Sequence, residues 1–117
     1  MHLFDLDRVR LLGIRETAEK AVAAILANNV RGFWIHCDAD VLDDAVMPAV
    51  DFRMPGGLSG AELEEVIRVA MTSGRAAGLE VTVYNPKLDA DRSAGRALLG
   101  AVVTGLTGQR VGTSRQT

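Results

Sequence analysis

The spacing of apolar residues changes from block to block along this chain, and each change marks an element. From Ile14 to Asn28, Ile14, Ala18, Val22 and Ile25 or Leu26 recur at helical spacing, with Arg15, Glu16, Glu19 and Lys20 on the other side. Asn28-Asn29 closes this predicted helix, because asparagine tolerates the left-handed conformation of a helix end. A second helix begins at Ser59, with Glu62 three residues on in a capping-box pattern. Leu63, Val66, Ile67, Ala70 and Met71 form its apolar face, and Gly74 stops it.

Gly32 to Cys37 is an apolar run without alternation, as expected of a strand covered on both faces. Leu79 to Tyr84 is rich in β-branched residues and reads as another strand, broken by Asn85-Pro86. Residues 2–6 read as a short first strand. A last helix, capped by Asp89 or Asp91, runs through Leu98, Leu99, Val102 and Val103 to about Leu106. Gly95, Gly100 and Gly105 weaken it by roughly 1 kcal/mol each against alanine, or else permit close helix–sheet packing. The polar stretch from Gly108 to Thr117 reads as a frayed tail.

Between Val41 and Leu58 no period is visible, and Pro48, Pro55, Gly56 and Gly57 punctuate a long loop. Met47, Val50, Phe52 and Met54 within it argue against disorder. The predicted order is β-α-β-loop-α-β-α. Right-handed crossovers turn that order into an α/β, three-layer parallel sheet with helices on both faces.

Ligand sites in such sheets lie beyond the carboxyl ends of the strands. At that end of the middle strand stand Asp38 and Asp40. In extended backbone, residues two apart share a face, so both carboxylates are expected to project together. Two neighbouring anions in apolar surroundings call for a cation, and a divalent metal is the usual answer. The plainer alternative is a solvated acidic loop. His36 is expected to be a core or interlayer histidine, Cys37 a small apolar residue facing away from Asp38, Asp43 a turn-former, and Glu80 a structural partner within its strand. Pro55-Gly56-Gly57 reads as a tight turn that delivers Ser59 as cap.

Composition narrows the classes further. At 117 residues, 48% of them apolar, the chain suits one domain with a modest core. A net charge of −2 without a basic stripe speaks against a nucleic-acid or anionic-membrane partner. No apolar run approaches the roughly 20 residues of a membrane span. The single cysteine allows no internal disulfide and fits a cytoplasmic setting.

The segment Asp38-Ala39-Asp40-Val41-Leu42-Asp43, then Pro48-Ala49, then Pro55-Gly56-Gly57-Leu58, resembles the second metal-binding signature of the ureohydrolases. That family comprises arginase, agmatinase, formiminoglutamase and their relatives. Gly78-Leu79-Glu80 and Tyr84-Asn85-Pro86 resemble its late strand, and the likeness covers most of residues 30–107. It implies a partial arginase-like fold, with residues 1–107 as the carboxyl-terminal portion of the domain. It also implies a manganese pair bridged by Asp38 and further held by Asp40, and hydrolysis of a guanidino or formimino C–N bond. The implied partner is a small amidine-type substrate, and a homo-oligomer is the expected assembly. Three positions depart from the pattern: His36 replaces serine, Asp44 replaces proline, and Val83 stands where arginases carry a guanidinium-binding glutamate. The family's earlier ligands, a histidine and an Asp-x-His-x-Asp cluster, have no counterpart, since the histidines are His2 and His36 alone. Activity of the chain by itself is therefore expected to be very low. Two alternatives are a non-catalytic module for oligomerisation or binding, and a phosphatase of the haloacid-dehalogenase type, which also places an Asp-x-Asp pair after an apolar strand.

Overall fold

A computed structural model of the chain describes residues 2–108. Along it run α1 (Leu6–Leu12), α2 (Ile14–Leu26), β1 (Phe33–Asp38), α3 (Gly60–Thr72), β2 (Ala76–Thr82) and α4 (Ser93–Thr107). Short 3-10 turns occupy Ala39–Val41 and Pro86–Leu88. β1 and β2 pair in parallel, with Ile35 opposite Leu79, His36 opposite Glu80, Cys37 opposite Val81 and Asp38 opposite Thr82. Parallel strands need a long crossover, and the loop with α3 provides it.

Capping decides where the helices begin. Ser59 accepts the Glu62 N–H at 3.1 Å while the Glu62 carboxylate accepts the Ser59 N–H at 2.9 Å, so the expected capping box is complete. Gly74 then takes φ of 73° at the helix end. Asn29, at φ of 63°, closes α2 as the asparagine pair predicts. At α4 both candidate aspartates act. Asp91 accepts the Ser93 N–H at 3.0 Å, and Asp89 accepts those of Ala94 at 3.1 Å and Gly95 at 2.8 Å.

The core lies where β1, the long loop, α3 and α4 meet. Cys37, Leu42, Met47, Val50, Leu63, Ile67, Leu98 and Val102 belong to it, and Leu42, Met47 and Ile67 are its largest fully buried side chains. Half of the loop is thus core. Its far half is not, for Phe52 and Met54 are exposed. A Leu42–Leu58 bridge ties the loop's two ends together, with Leu58 donating to Val41 and Asp43 donating to Leu58, both at 2.9 Å. Gly57 allows this approach. A Cβ there would stand 2.7 Å from the Asp43 nitrogen and from the Val41 oxygen.

Several expectations need correction. Residues 2–6 form no strand: Asp5 caps α1 by accepting the Arg8 N–H at 3.0 Å, and helix replaces the extended run. The period-two pattern there was too short to compete with a good cap. β2 begins at Ala76 and ends at Thr82, three residues and two residues earlier than the β-branched run suggests. Small residues at its start let β1 come close, since the Trp34 ring lies where a Cβ on Gly78 would be. Val83 then swings to φ of 77° and leaves the strand. The α/β class with a parallel sheet stands, but the second helical layer is not supplied by the described residues. Cys37 and Leu79 face the core, whereas on the other face Trp34, His36 and Glu80 are exposed. The predicted tail lies outside the described residues, apart from Gly108, which closes α4 at φ of 75°.

Candidate functional site

β1 delivers Asp38 to the carboxyl end of the sheet, and a tight 3-10 turn carries Asp40 just past it. The rule that residues two apart share a face therefore stops applying at Asp38. Asp38 and Asp40 nevertheless line one cleft, of about 380 Å³, together with Ile35, Cys37, Val41 and the α3 residue Ile67. Asp40 is exposed, and Asp38 is partly buried.

Asp38 is held by a network that sequence reasoning missed. Its Oδ1 accepts the Thr82 hydroxyl at 2.5 Å and meets His36 Nε2 at 2.7 Å. The other ring nitrogen of His36 meets Glu80 Oε1 at 3.1 Å. His36 is thus not a core or interlayer histidine. It lies two residues before Asp38 on the same strand face, and the parallel register sets Glu80 and Thr82 opposite the two of them. That signal was available in the strand period, and the register completes it. The Thr82 hydroxyl, then His36, hold the Asp38 carboxyl below the usual carboxylate range. Bonding to Glu80, then to Asp38, raises His36 above the ordinary imidazole range.

The neighbouring residues are structural. Asp43 Oδ2 accepts the Ala45 N–H at 3.0 Å and Oδ1 the Gly56 N–H at 2.7 Å, which makes it the expected turn-former. These backbone donors keep its carboxyl low. Cys37 is buried and its thiol is pushed up by desolvation, so it is no nucleophile. Asn85 caps the second 3-10 turn by accepting the Lys87 N–H at 3.0 Å, and its amide donates to Asp51 at 3.0 Å.

Metal ligation needs a convergent donor set, and two carboxylates do not make one. Among the described residues no group of three or more His, Cys, Asp or Glu side chains is arranged to hold a metal ion. Two hydrogen-bond partners already occupy Asp38 Oδ1. The residues present therefore do not fit a self-sufficient pair of metal ions.

Taken together, the parallel strands, the carboxyl-end cleft and the acidic turn define an α/β protein with its ligand edge at the strand ends. The arginase-family profile matches residues 1–106, and the chain belongs to that family. It is 26% identical over 101 residues to the arginase of Staphylococcus aureus (strain COL), a match covering 86% of this chain and 33% of the relative. It is also 26% identical over 111 residues to the formimidoylglutamase of Bacillus subtilis (strain 168), covering 95% of this chain and 34% of that protein. Among solved structures, arginase from Bacillus subtilis superposes with a TM-score of 0.83 at 23% identity, over 95% of this chain and 37% of that one. The chain thus spans about a third of the length of the curated relatives it matches. Family membership decides against the haloacid-dehalogenase alternative. Among the described residues, no helix is long and apolar enough to cross a membrane.

Proposed function

We propose that residues 1–107 are the carboxyl-terminal portion of an arginase-like α/β domain. In the complete domain, Asp38 and Asp40 serve as metal ligands for hydrolysis of a linear C–N bond in a small amidine-type substrate. The carrying observation is the shared cleft: two carboxylates open into one cavity at the carboxyl end of a parallel strand, in a chain of the arginase family. Oxygen donors of this kind suit manganese, which would supply Lewis-acid activation of water and substrate when bound.

This chain's own contribution is positional. Thr82 and His36 fix one oxygen of Asp38, and Glu80 fixes the far side of the His36 ring. At position 83 valine offers a guanidinium no ion pair, which favours a substrate whose far end is recognised by other groups. The remaining ligands must come from residues other than those described.

The test uses the complete domain. Manganese binding is measured by calorimetry, and release of urea or formamide is followed on guanidino and formimino substrates. Asp38→Asn is expected to lower metal affinity at least 10-fold and to abolish turnover. Unchanged manganese binding in Asp38→Asn would remove Asp38 from the site.

A further inference from the structure

The edge of β1 away from β2 has no strand beside it, and what borders it is shaped for one. The four consecutive residues Ile35 to Asp38 all line the 380 Å³ cleft, whereas no β2 residue does. Consecutive strand residues alternate between faces, so a cavity touching all four runs along the strand's edge rather than over one face. A second cavity, of about 450 Å³, continues the first and shares Asp40, Val41, Leu58 and Val66 with it. Its far wall is α1 and α2, through Val9 and Ile14 among others. Together they make an apolar trough, open on one side to the unpaired backbone groups of β1 and ending at Asp38 and Asp40.

A sheet of two parallel strands, bare on one face and both edges, is an unusual end state, because parallel sheets are normally covered. The curated relatives are about three times as long as the stretch matched here. The acidic pair also lacks the further ligands a metal would need. We infer that the free edge of β1 is a strand-addition seam for the remaining two-thirds of an arginase-family domain. The incoming segment runs parallel to β1, fills the trough with apolar side chains and brings its own metal-ligating side chains to Asp38 and Asp40. This inference rests on reading the chain as a portion of such a domain. It adds which of the two sheet edges is the seam and what the arriving strand must carry. Parallel direction follows from the site: only then does the new strand's carboxyl end arrive beside Asp38.

The experiment mixes this chain with a polypeptide comprising the part of Staphylococcus aureus arginase that the chain does not match. Association is followed by light scattering, and β1 by amide hydrogen exchange. The expected result is a one-to-one complex in which the β1 amides facing away from β2 become at least 10-fold slower to exchange. Val41→Lys sets a charge in the trough at a residue already 38% exposed, so the chain keeps its fold, checked by circular dichroism. That variant is expected to weaken association at least 10-fold. Absence of a complex, or a complex in which those amides exchange as before, overturns the seam. A dimer of this chain alone with the same amides protected assigns the edge to a second copy and equally overturns it. Manganese added to the complex tests the other reading separately: a complex with protected β1 amides and no manganese binding keeps the seam and removes the metal assignment.

Discussion

Gly100 and Gly105 lie on the same helix and carry the same intrinsic penalty, yet alanine at the two positions should act in opposite directions. A glycine inside a helix is about 1 kcal/mol less favourable than alanine. At Gly100 a Cβ would meet nothing within 4 Å. Gly100→Ala should therefore stabilise the chain by about 1 kcal/mol, which raises Tm by roughly 4 °C for a domain of this size. At Gly105 the same Cβ would stand 2.7 Å from Ile67 Cβ, 2.8 Å from its Cγ2 and 3.1 Å from the Glu64 carbonyl oxygen. Carbon atoms rest at about 3.5–4.0 Å, so an overlap of nearly 1 Å must be relieved.

Ile67 cannot give way easily, because it is 1% exposed and β-branched. Overpacking of that kind costs about 1–3 kcal/mol. Set against the gain in helix propensity, the net change for Gly105→Ala runs from near zero to a loss of about 2 kcal/mol. The gap between the variants, about 1–3 kcal/mol, is the overpacking itself. Urea unfolding, followed by circular dichroism and by the fluorescence of the sole tryptophan, Trp34, reads both variants on one scale. A Gly105→Ala chain as stable as Gly100→Ala would refute the close approach of α4 to α3.

Other outcomes follow from single contacts. Tyr84 is the only tyrosine, and its hydroxyl donates to Asp89 at 2.6 Å, so ionisation would set two anions together and the phenol is raised above its ordinary value. Titration at 295 nm should find it high in the wild type and near normal in Asp89→Ala; a normal wild-type value would break the assigned bond. Because the folded-state value is raised, this bond's contribution is complete below the ordinary tyrosine range, near 10, and fades as pH climbs through the folded-state value. Ser59→Ala removes half of the capping box and should cost about 1 kcal/mol in urea unfolding, with m unchanged. Val83 holds φ of 77°, a conformation β-branched residues resist. Val83→Gly should thus raise the thermal midpoint slightly, relief of about 1–2 kcal/mol outweighing the added chain entropy. A lower midpoint would mean that the turn is not strained.

How far the fold could be read from the chain depended on whether each signal was local. The α3 capping box, the stop at Gly74 and the closing asparagine of α2 are local chemistry, and all lie where the pattern sets them. The limits of β2 were misjudged because β propensity describes a half-buried surface more than a backbone preference. What sets those limits is the partner strand: Gly78 admits the Trp34 ring, and Val83 turns away. α1 was missed because a seven-residue helix on a single cap leaves almost no periodic trace. The glycines of α4 were left between two explanations, and contacts separate them. Gly95 lies against the Tyr84 hydroxyl and Gly105 against Ile67, whereas Gly100 touches nothing and is only a weak helix position.

The candidate site divides along the same line. Asp38 and Asp40 can be picked out from residue type and spacing, because carboxylates at a strand's carboxyl end are rare without a use. Their partners could not be chosen that way, since Thr82 and Glu80 meet Asp38 and His36 only through the parallel register. That register has a consequence for the chemistry. A carboxylate that bridges two cations must offer both oxygens, but Oδ1 of Asp38 is already committed to Thr82 and His36. In this arrangement Asp38 can present one oxygen as a terminal ligand. Bridging would require Oδ1 to exchange two hydrogen bonds for a metal bond, and His36 would keep only its contact with Glu80. Histidine instead of serine at position 36 therefore bears directly on the site: it competes for the atom on which a two-metal centre would depend.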